Sequence, residues 1–167
     1  MKMNLPPFEV FPELQDERIR LREARESDVL SLLEILTYDG KPAETLEEGM
    51  NNLSRIHQNY LDGDTVNWAI EETETKEPVG FVGYYRGFEN GTGELGCILK
   101  AEFRGKGLMS PVLCLAAAFG IAEMKLEQVI AFTKPDNEKA IILLNRNGFQ
   151  VQKGLTDGYL KFVYQVK

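Results

Sequence analysis

A glycine-rich loop between two apolar segments constrains the fold of this chain most strongly. The loop spans residues 104–110, with the sequence RGKGLMS, and separates a strand-like apolar run, 95–99, from a long apolar run, 111–126. This order predicts a strand, a loop and the start of a helix. Glycines let the backbone approach an anion closely, and the first N–H groups of a helix have no partner within it. We therefore expect the loop to bind phosphate, with Arg104 and Lys106 adding positive charge.

Length and composition indicate one ordinary globular domain. The chain has 167 residues, of which 43% are hydrophobic and 27% are charged, and this length suits a single core. We expect residues 1–15 to form an N-terminal arm and residues 16–167 to form the domain. The 26 acidic and 19 basic residues give a net charge of −7. Because nucleic acids are bound by clustered Lys and Arg, this charge argues against a nucleic-acid partner and favours a cationic substrate.

The cysteines and the N-terminus predict a cytoplasmic protein that does not bind membranes. Cys97 and Cys114 both fall in apolar segments, and no charged region followed by an apolar stretch opens the chain. We expect both thiols to be reduced. One histidine, His57, and two separated cysteines do not make a ligand set, so we expect no metal site.

The N-terminal half predicts one strand followed by two helices. In residues 18–22 charged and apolar residues alternate, which is typical of a half-buried strand. Ser27 and Asp28 are expected to cap the first helix. Thr45 and Glu48 have the spacing of a capping box at the start of the second helix.

The rest of the chain predicts a sheet interrupted by helices. Its apolar residues repeat with a period of two in three segments, 66–71, 79–86 and 94–99, and such closely spaced strands should pair as an antiparallel meander. The helix after the glycine loop is apolar almost all round and should be buried. We expect the remaining elements to be a strand, a helix closed by Gly148, and two final strands, at 128–133, 137–147, 149–152 and 159–166.

Three motifs, in order, resemble the GNAT acetyltransferase superfamily. The segment 104–108, RGKGL, resembles the R/Q-x-x-G-x-G/A pyrophosphate motif of that family. The segment 137–140, NEKA, with the later pair 148–149, GF, resembles the family's helix beside the coenzyme A arm. The segment 17–22, ERIRLR, is similar to the opening of the branch that contains the RimJ and RimL ribosomal-protein N-terminal acetyltransferases.

The resemblance implies a fold and a coenzyme site. The fold would be the α/β (α+β) GNAT fold, with a mixed, mostly antiparallel sheet of about seven strands and about four helices, splayed between its fourth and fifth strands. The free edge of the fourth strand would hold the pantetheine arm of acetyl-CoA, and its N–H groups would stabilise the oxyanion. The residues predicted to bind the coenzyme are Cys97, Ile98, Leu99, Arg104, Gly105, Lys106, Gly107, Leu108, Met109, Ser110 and Asn137.

The resemblance also implies a reaction, direct attack of a primary amine on acetyl-CoA in a ternary complex, with no metal. Because amines are mostly protonated at pH 7, a base is useful. Glu94 is the candidate, since the segment 94–96, ELG, resembles the family's entry to the fourth strand. The alternative is a solvent-facing glutamate after a turn. Leu144 occupies the position of a tyrosine that protonates the leaving thiolate in several members, so no such acid is identified.

The acceptor amine is left open by these residues. Similarity to the RimJ and RimL branch favours a protein or peptide N-terminus, and a small-molecule amine is the alternative. An inactive coenzyme-binding sensor or scaffold and a plain phosphate-ligand binding protein are two further hypotheses. The outward-facing member of Tyr84 and Tyr85 would line the acceptor cleft if it is not packed in the core. Ser110 is expected to cap the helix or to contact phosphate, and the family resemblance implies a homodimer.

Overall fold

The chain folds into ten strands and four α-helices, as described for residues 2–38 and 40–166 in a computed structural model. The strands are β1 (Leu14–Gln15), β2 (Ile19–Arg22), β3 (Thr37–Tyr38), β4 (Lys41–Pro42), β5 (Val66–Glu72), β6 (Pro78–Tyr85), β7 (Thr92–Leu99), β8 (Gln128–Thr133), β9 (Phe149–Val151) and β10 (Leu160–Tyr164). The helices are α1 (Val29–Leu32), α2 (Leu46–Leu61), α3 (Met109–Ala122) and α4 (Glu138–Arg146).

One large sheet of eight strands organises these elements, in the order β1-β2-β5-β6-β7-β8-β10-β9. All neighbours are antiparallel except β7 and β8, which are parallel. The mixed, mostly antiparallel sheet predicted from the sequence is therefore confirmed. The sheet has eight strands where about seven were expected, because Leu14 and Gln15 in the N-terminal arm pair with β2. A separate hairpin, β3–β4, was also not predicted, since two-residue strands are too short to show a period.

The sheet opens between β7 and β8, as predicted. The two strands pair only where Thr92–Glu94 lies beside Gln128–Ile130. Beyond that point β8 pairs with β10 on its other side, while 95–99 continues along β6 alone. The second half of β7 therefore has a free edge on the side that faces β8.

Aromatic packing against α3 fixes the side of the sheet that carries the main core. The Tyr84 hydroxyl donates a hydrogen bond to the carbonyl of Ala116, at 2.7 Å. A Cβ at Gly120 would lie 2.2 Å from the same hydroxyl, so a glycine is needed there. The indole of the buried Trp68 donates to the carbonyl of Pro12, at 2.9 Å, and so attaches the N-terminal arm to the core.

The first helix differs from the sequence prediction. It has only four residues, 29–32, after a 3₁₀ turn at 26–28. Ser27 and Asp28 do not cap it by side-chain hydrogen bonds. The Asp28 carboxylate instead accepts two hydrogen bonds from the guanidinium of Arg22, at 2.8 and 2.9 Å.

Arg22 lies at the centre of a buried cluster of charges. Its Nε donates to Glu71 on β5, at 2.8 Å, while its two Nη groups bind Asp28, so one side chain ties β2 to β5 and to α1. Hydrogen bonding to Asp28 raises the pKa of Arg22 in spite of its desolvation. Burial alone would raise the pKa of Asp28, but the hydrogen bonds from Arg22 and from the Arg25 backbone outweigh it, and the pKa is lowered. Arg22 and Asp28 are therefore held in their charged states.

The other helices follow the predicted signals. Thr45 caps α2 by accepting a hydrogen bond from the Glu48 backbone, at 3.1 Å, although the Glu48 side chain accepts from Glu44 rather than from Thr45. Gly148 follows α4 with a φ of +84°, the left-handed conformation that a glycine at this position favours. In the part of the chain that the structure describes, none of the helices is both long and apolar enough to cross a bilayer.

Candidate active site

The glycine loop connects β7 to α3, as the sequence predicted. Gly105 and Gly107 both have a φ of +76°, in the left-handed region that side chains disfavour. The helix begins at Met109, and its N-cap is Leu108, which makes no side-chain capping bond. The expectation that Ser110 could cap this helix is therefore wrong, because Ser110 is already its second residue. The first N–H groups of α3 are left without a capping side chain and are available to an anion.

Arg18 fixes the orientation of this loop, a role that its strand-like sequence context did not indicate. Its guanidinium donates to the carbonyl of Lys106, at 2.7 Å, and to the carbonyl of Gly107, at 3.5 Å. In a trans peptide the N–H points opposite to the C=O. The N–H groups of Gly107 and Leu108 are therefore turned away from Arg18, and both face the same way.

The two basic residues of the loop are positioned differently. The Nε of Arg104 donates to the carbonyl of Leu99 at the end of β7, at 3.1 Å, so this side chain joins the loop to the free edge. The ammonium of Lys106 lies 5.3 Å from the centre of the Phe103 ring. Both add positive charge beside the start of α3.

The free edge of β7 presents alternate backbone groups. The Lys100 N–H donates to the Val79 carbonyl on β6, at 2.9 Å. Because bonded positions alternate in an antiparallel ladder, the N–H of Ile98 also points to β6, whereas those of Cys97 and Leu99 point into the opening beside β8. The side chain of Ile98 lies on the other face of the sheet and lines a cavity there. Of the three predicted β7 residues, Cys97 and Leu99 are thus placed to offer oxyanion donors.

Polar side chains from α3 and α4 meet beside the loop. Asn147 donates to the hydroxyl of Ser110, at 3.0 Å, and accepts from the thiol of Cys114, at 3.2 Å. Cys114 is exposed, although it falls in an apolar segment of the sequence. Asn137 is exposed and caps α4 by accepting from the Ala140 N–H, at 3.2 Å. The roles of Ser110 and Asn137 in coenzyme binding stay predictions.

A cavity of about 490 Å³ lies on the face of the sheet opposite α3. The segment after α1, one face of α2 and the strands β5, β6 and β7 line it. Tyr85 is the outward-facing tyrosine and lines this cavity, whereas Tyr84 is buried in the core. Glu94 and Ile98 of β7 line the cavity. The cavity therefore reaches the free edge of β7 from the face of the sheet opposite α3.

Glu94 lies at the junction of this cavity and the opening in the sheet. Its side chain is 26% exposed, and its Oε2 lies 3.5 Å from the Nε of Arg86. The strand registers place Glu94 opposite Tyr85 on β6. The position suits a base that receives a proton from an amine in the cavity, and the catalytic role of Glu94 stays a prediction.

Two polar side chains of the cavity were not singled out from the sequence. The buried Oγ1 of Thr65 has no hydrogen-bond partner within the described ranges. Asn67 is 9% exposed and accepts a hydrogen bond from the Tyr85 hydroxyl, at 3.1 Å. Neither residue belongs to a local motif, so only their meeting in the folded chain marks them as part of the site.

A second cavity, of about 330 Å³, adjoins the first and shares Asn67 with it. His57 lies at its rim with 56% of its side chain exposed, 3.8 Å from Glu23, and its ring is parallel to that of Tyr60. The one histidine of the chain therefore lies at a cavity rim and stacks on an aromatic ring. Across the residues that the structure describes, no three His, Cys, Asp or Glu side chains are grouped to hold a metal.

Comparison with known proteins identifies the family. A family model of the acetyltransferase (GNAT) domain matches residues 18–150. The chain is 30% identical, over 156 residues, to the uncharacterized N-acetyltransferase p20 of Bacillus licheniformis, covering 89% of this chain and 87% of that protein. The chain belongs to the GNAT acetyltransferase family. It is an acyltransferase, and the family uses acetyl-CoA as the acetyl donor.

Solved structures with the same fold act on different acceptors. The ribosomal-protein-S5-alanine acetyltransferase of Vibrio fischeri matches with a TM-score of 0.72 and 18% identity, over 91% of this GNAT chain and 95% of that one. A dodecameric spermidine N-acetyltransferase of Vibrio cholerae matches with a TM-score of 0.70 and 18% identity, over 89% and 94%. At these identities the likeness shows the fold alone, and the GNAT fold expected from the motifs is confirmed.

Proposed function

We propose that this enzyme acetylates the α-amino group of a peptide or protein N-terminus, as members of the RimJ and RimL branch do. The observation that carries the proposal is the chemistry of the larger cavity. Among its described lining residues Glu94 is the one carboxylate, and Arg86 lies against it. The other polar side chains among these residues are neutral amides and hydroxyls, namely those of Thr37, Tyr38, Asn59, Thr65, Asn67 and Tyr85. Such a lining suits the neutral hydrogen-bonding groups of a peptide backbone.

The donor would bind from the glycine-loop side. The turned N–H groups of Gly107 and Leu108 and the start of α3 suit the pyrophosphate, with Arg104 and Lys106 adding charge. The pantetheine arm would lie along the free edge of β7 and beside Asn137. The N–H groups of Cys97 and Leu99 would then face the thioester carbonyl and stabilise the charge that develops on its oxygen.

The acceptor amine would attack from the cavity side. Glu94 takes the proton, directly or through a water, as the new C–N bond forms. Collapse of the tetrahedral intermediate breaks the C–S bond and releases coenzyme A as a thiolate, which solvent protonates. Leu144 is 6% exposed and has no ionisable group, so it cannot act as the acid. Direct attack requires no nucleophile from the protein.

A small cationic amine is the second candidate. The net charge of −7 favours a cationic acceptor over an anionic one, whatever its size. A polyamine, however, carries further charges that need further carboxylates near the reacting amine. The described lining residues of the larger cavity supply only Glu94.

A panel assay of thiol release from acetyl-CoA tests these alternatives. The panel contains short peptides with free N-termini, the same peptides with blocked N-termini and one internal lysine, and spermidine. We expect kcat/KM to be highest for the free N-termini. A preference for spermidine overturns the peptide proposal, and no turnover with any amine, together with tight coenzyme A binding, supports the sensor hypothesis. Calorimetry with coenzyme A and with 3′,5′-ADP tests whether the pantetheine arm contributes to binding.

We also propose a homodimer and a cytoplasmic location. The sheet ends at β9, where Val151 is 45% exposed, and an exposed strand edge with an apolar side chain is suited to pairing with a second copy. The two cysteines are unpaired, which agrees with a reducing compartment. Light scattering of the purified protein tests the first proposal, and cell fractionation tests the second.

A further inference from the structure

A hydrogen-bonded pair crosses the floor of the larger cavity. The Tyr85 hydroxyl on β6 donates to the Oδ1 of Asn67 on β5, at 3.1 Å. Both residues line the cavity, and Asn67 also lines the smaller one beside it. The pair therefore lies where the two cavities join.

Two glycines make room for this pair. Gly83 and Gly96 are opposite each other on β6 and β7, and Gly83 is also opposite Asn67. A Cβ at Gly83 would lie 2.9 Å from Asn67 Oδ1, and a Cβ at Gly96 would lie 3.1 Å from the Tyr85 ring. A side chain at Gly83 would collide with Asn67, and one at Gly96 would press on the Tyr85 ring. The two glycines therefore leave the space that the amide and the ring occupy.

The pair also sets the direction of the Asn67 amide. Burial raises the pKa of Tyr85 well above its ordinary value, so the hydroxyl keeps its proton and donates it. Because Oδ1 accepts this proton, Nδ2 must point elsewhere. No described residue pairs with Nδ2. The residue is 9% exposed, and both surfaces that it reaches are cavity walls.

An amide donor that faces a cavity and has no protein partner is available to an acceptor group of a ligand. A ligand oxygen in the cavity would replace the water that such a donor otherwise binds. Asn67 and the free edge of β7 are separated by two strand spacings, about 10 Å. Side chains reach into this gap from both ends, and a peptide advances about 3.5 Å per residue. When the amino group of a peptide lies at Glu94, one of the first two carbonyl groups of that peptide therefore lies near Asn67.

We propose that Asn67 is a specificity-determining residue that donates a hydrogen bond from Nδ2 to a backbone carbonyl of the acceptor peptide, with Tyr85 as its positioning residue. This inference rests on the proposed function and deepens it. It explains why a peptide would be preferred to an amine of the same charge that lacks a carbonyl. The preference comes from a neutral donor held in a fixed direction.

The test compares a short peptide with an analogue in which (E)-alkenes replace its first two amides, so that shape is kept and both carbonyls are lost. Binding of each ligand is measured by calorimetry with coenzyme A present. We expect the wild type to prefer the peptide by about fivefold to tenfold, which is the usual effect of one neutral hydrogen bond. In Asn67→Ala this preference should disappear, while the affinity for coenzyme A stays unchanged.

Three further variants keep the test decisive. Asn51→Ala, the same change at an exposed position of α2 that lines neither cavity, should keep the preference. Tyr85→Phe should reduce it, because the amide is no longer held. Asn67→Asp should weaken peptide binding at least as much as Asn67→Ala, and it remains informative if the alanine variant does not fold. A wild type without the preference, or an Asn67→Ala protein that keeps it, overturns the inference.

Binding also separates this inference from the proposed function. A wild type that shows the preference but transfers no acetyl group overturns the proposed function and supports the role of Asn67. A wild type that acetylates peptides while binding both ligands equally supports the proposed function and overturns the role of Asn67.

Discussion

The two sides of the active site are built in opposite ways. On the donor side, the free edge of β7, the glycine loop and the start of α3 follow one another within about 20 residues of chain. On the acceptor side, the cavity is assembled from the segment after α1, from α2, and from three different strands. A ligand whose structure does not vary can be bound by one short motif. An acceptor that varies is bound by side chains that come together only in the complete fold. The predictions below change one side and test whether the other is affected.

The largest expected effect is a loss of folding stability when the buried carboxylate that attaches α1 to the sheet loses its charge. Asp28→Asn removes the charged partner of the two Nη groups of Arg22, while Glu71 keeps its bond to Nε, and breaking a buried pair in this way costs about 3–5 kcal/mol of unfolding free energy. Urea unfolding measures this loss. Glu26→Gln, an exposed neighbour, should change stability by less than about 0.5 kcal/mol. Equal effects in both variants would mean that the cluster does not hold the acceptor side in place.

The same variant tests a pH dependence. Because the folded-state pKa of Asp28 is lowered, its contribution is complete above the unfolded-state pKa of about 3.9 and is lost as pH falls through the folded-state value. The stability difference between the wild type and Asp28→Asn should therefore shrink below about pH 4. A difference that is constant from pH 7 to pH 3 would contradict the assignment.

The next effect concerns the proposed base between the two sides. Glu94→Gln should lower kcat by about 100-fold or more, because an amide cannot accept the proton. The affinity for coenzyme A should not change, since Glu94 faces the acceptor cavity. Glu89→Gln, at an exposed glutamate in the turn before β7, is the matched control and should keep full activity. A Glu94→Gln enzyme with wild-type kcat would remove Glu94 from the mechanism.

A smaller effect is expected from the loop on the donor side. Gly107→Ala places a side chain at a φ of +76°, which costs about 1–2 kcal/mol, and should raise the KM for acetyl-CoA by about tenfold. The KM for the acceptor should stay the same. Gly154→Ala makes the same kind of change, at a φ of +80°, in the loop between β9 and β10. If both variants shift the KM for acetyl-CoA equally, the glycine loop has no special role.

The smallest effect is expected at the unpaired hydroxyl on the acceptor side. Thr65→Val keeps the shape of the side chain and removes a buried Oγ1 that has no partner in the described parts of the chain. The unfolding free energy should stay the same or rise by about 1 kcal/mol, because a desolvated hydroxyl without a bond is unfavourable. Thermal unfolding of this variant beside Thr65→Ser provides the measurement. A clear loss of stability in the valine variant alone would show that the hydroxyl has a structural partner.

Elements with strong local signals were predicted well. The three strands of the meander, the strand at 128–133 and the helix closed by Gly148 were found within one or two residues of their expected ends. Their signals are periodicity and end residues, which act between residues close together in the chain. The capping bonds expected for the first helix were not found, because the Asp28 carboxylate, a capping group in isolation, is bound to Arg22 on another element.

Contacts between site residues that are far apart in the chain were missed. Arg18 lies 88 residues before the Lys106 carbonyl that it binds, and Tyr85 lies 18 residues after Asn67. Gly83 and Gly96 carry no signal until the strands are paired in register, when they are seen to make room for that pair. No local pattern distinguishes such residues from ordinary members of a strand.

Local sequence patterns were enough to predict the strand, the glycine loop and the helix start that we propose to bind the donor, and through them the family. These features depend on backbone conformation and helix geometry, which neighbouring residues control. Three further properties became visible only in the folded chain: which N–H groups face the opening beside β7, which tyrosine lines the cavity, and which amide donor has no partner among the described residues. Those properties depend on register and on packing between distant segments, so they exist only once the sheet has formed.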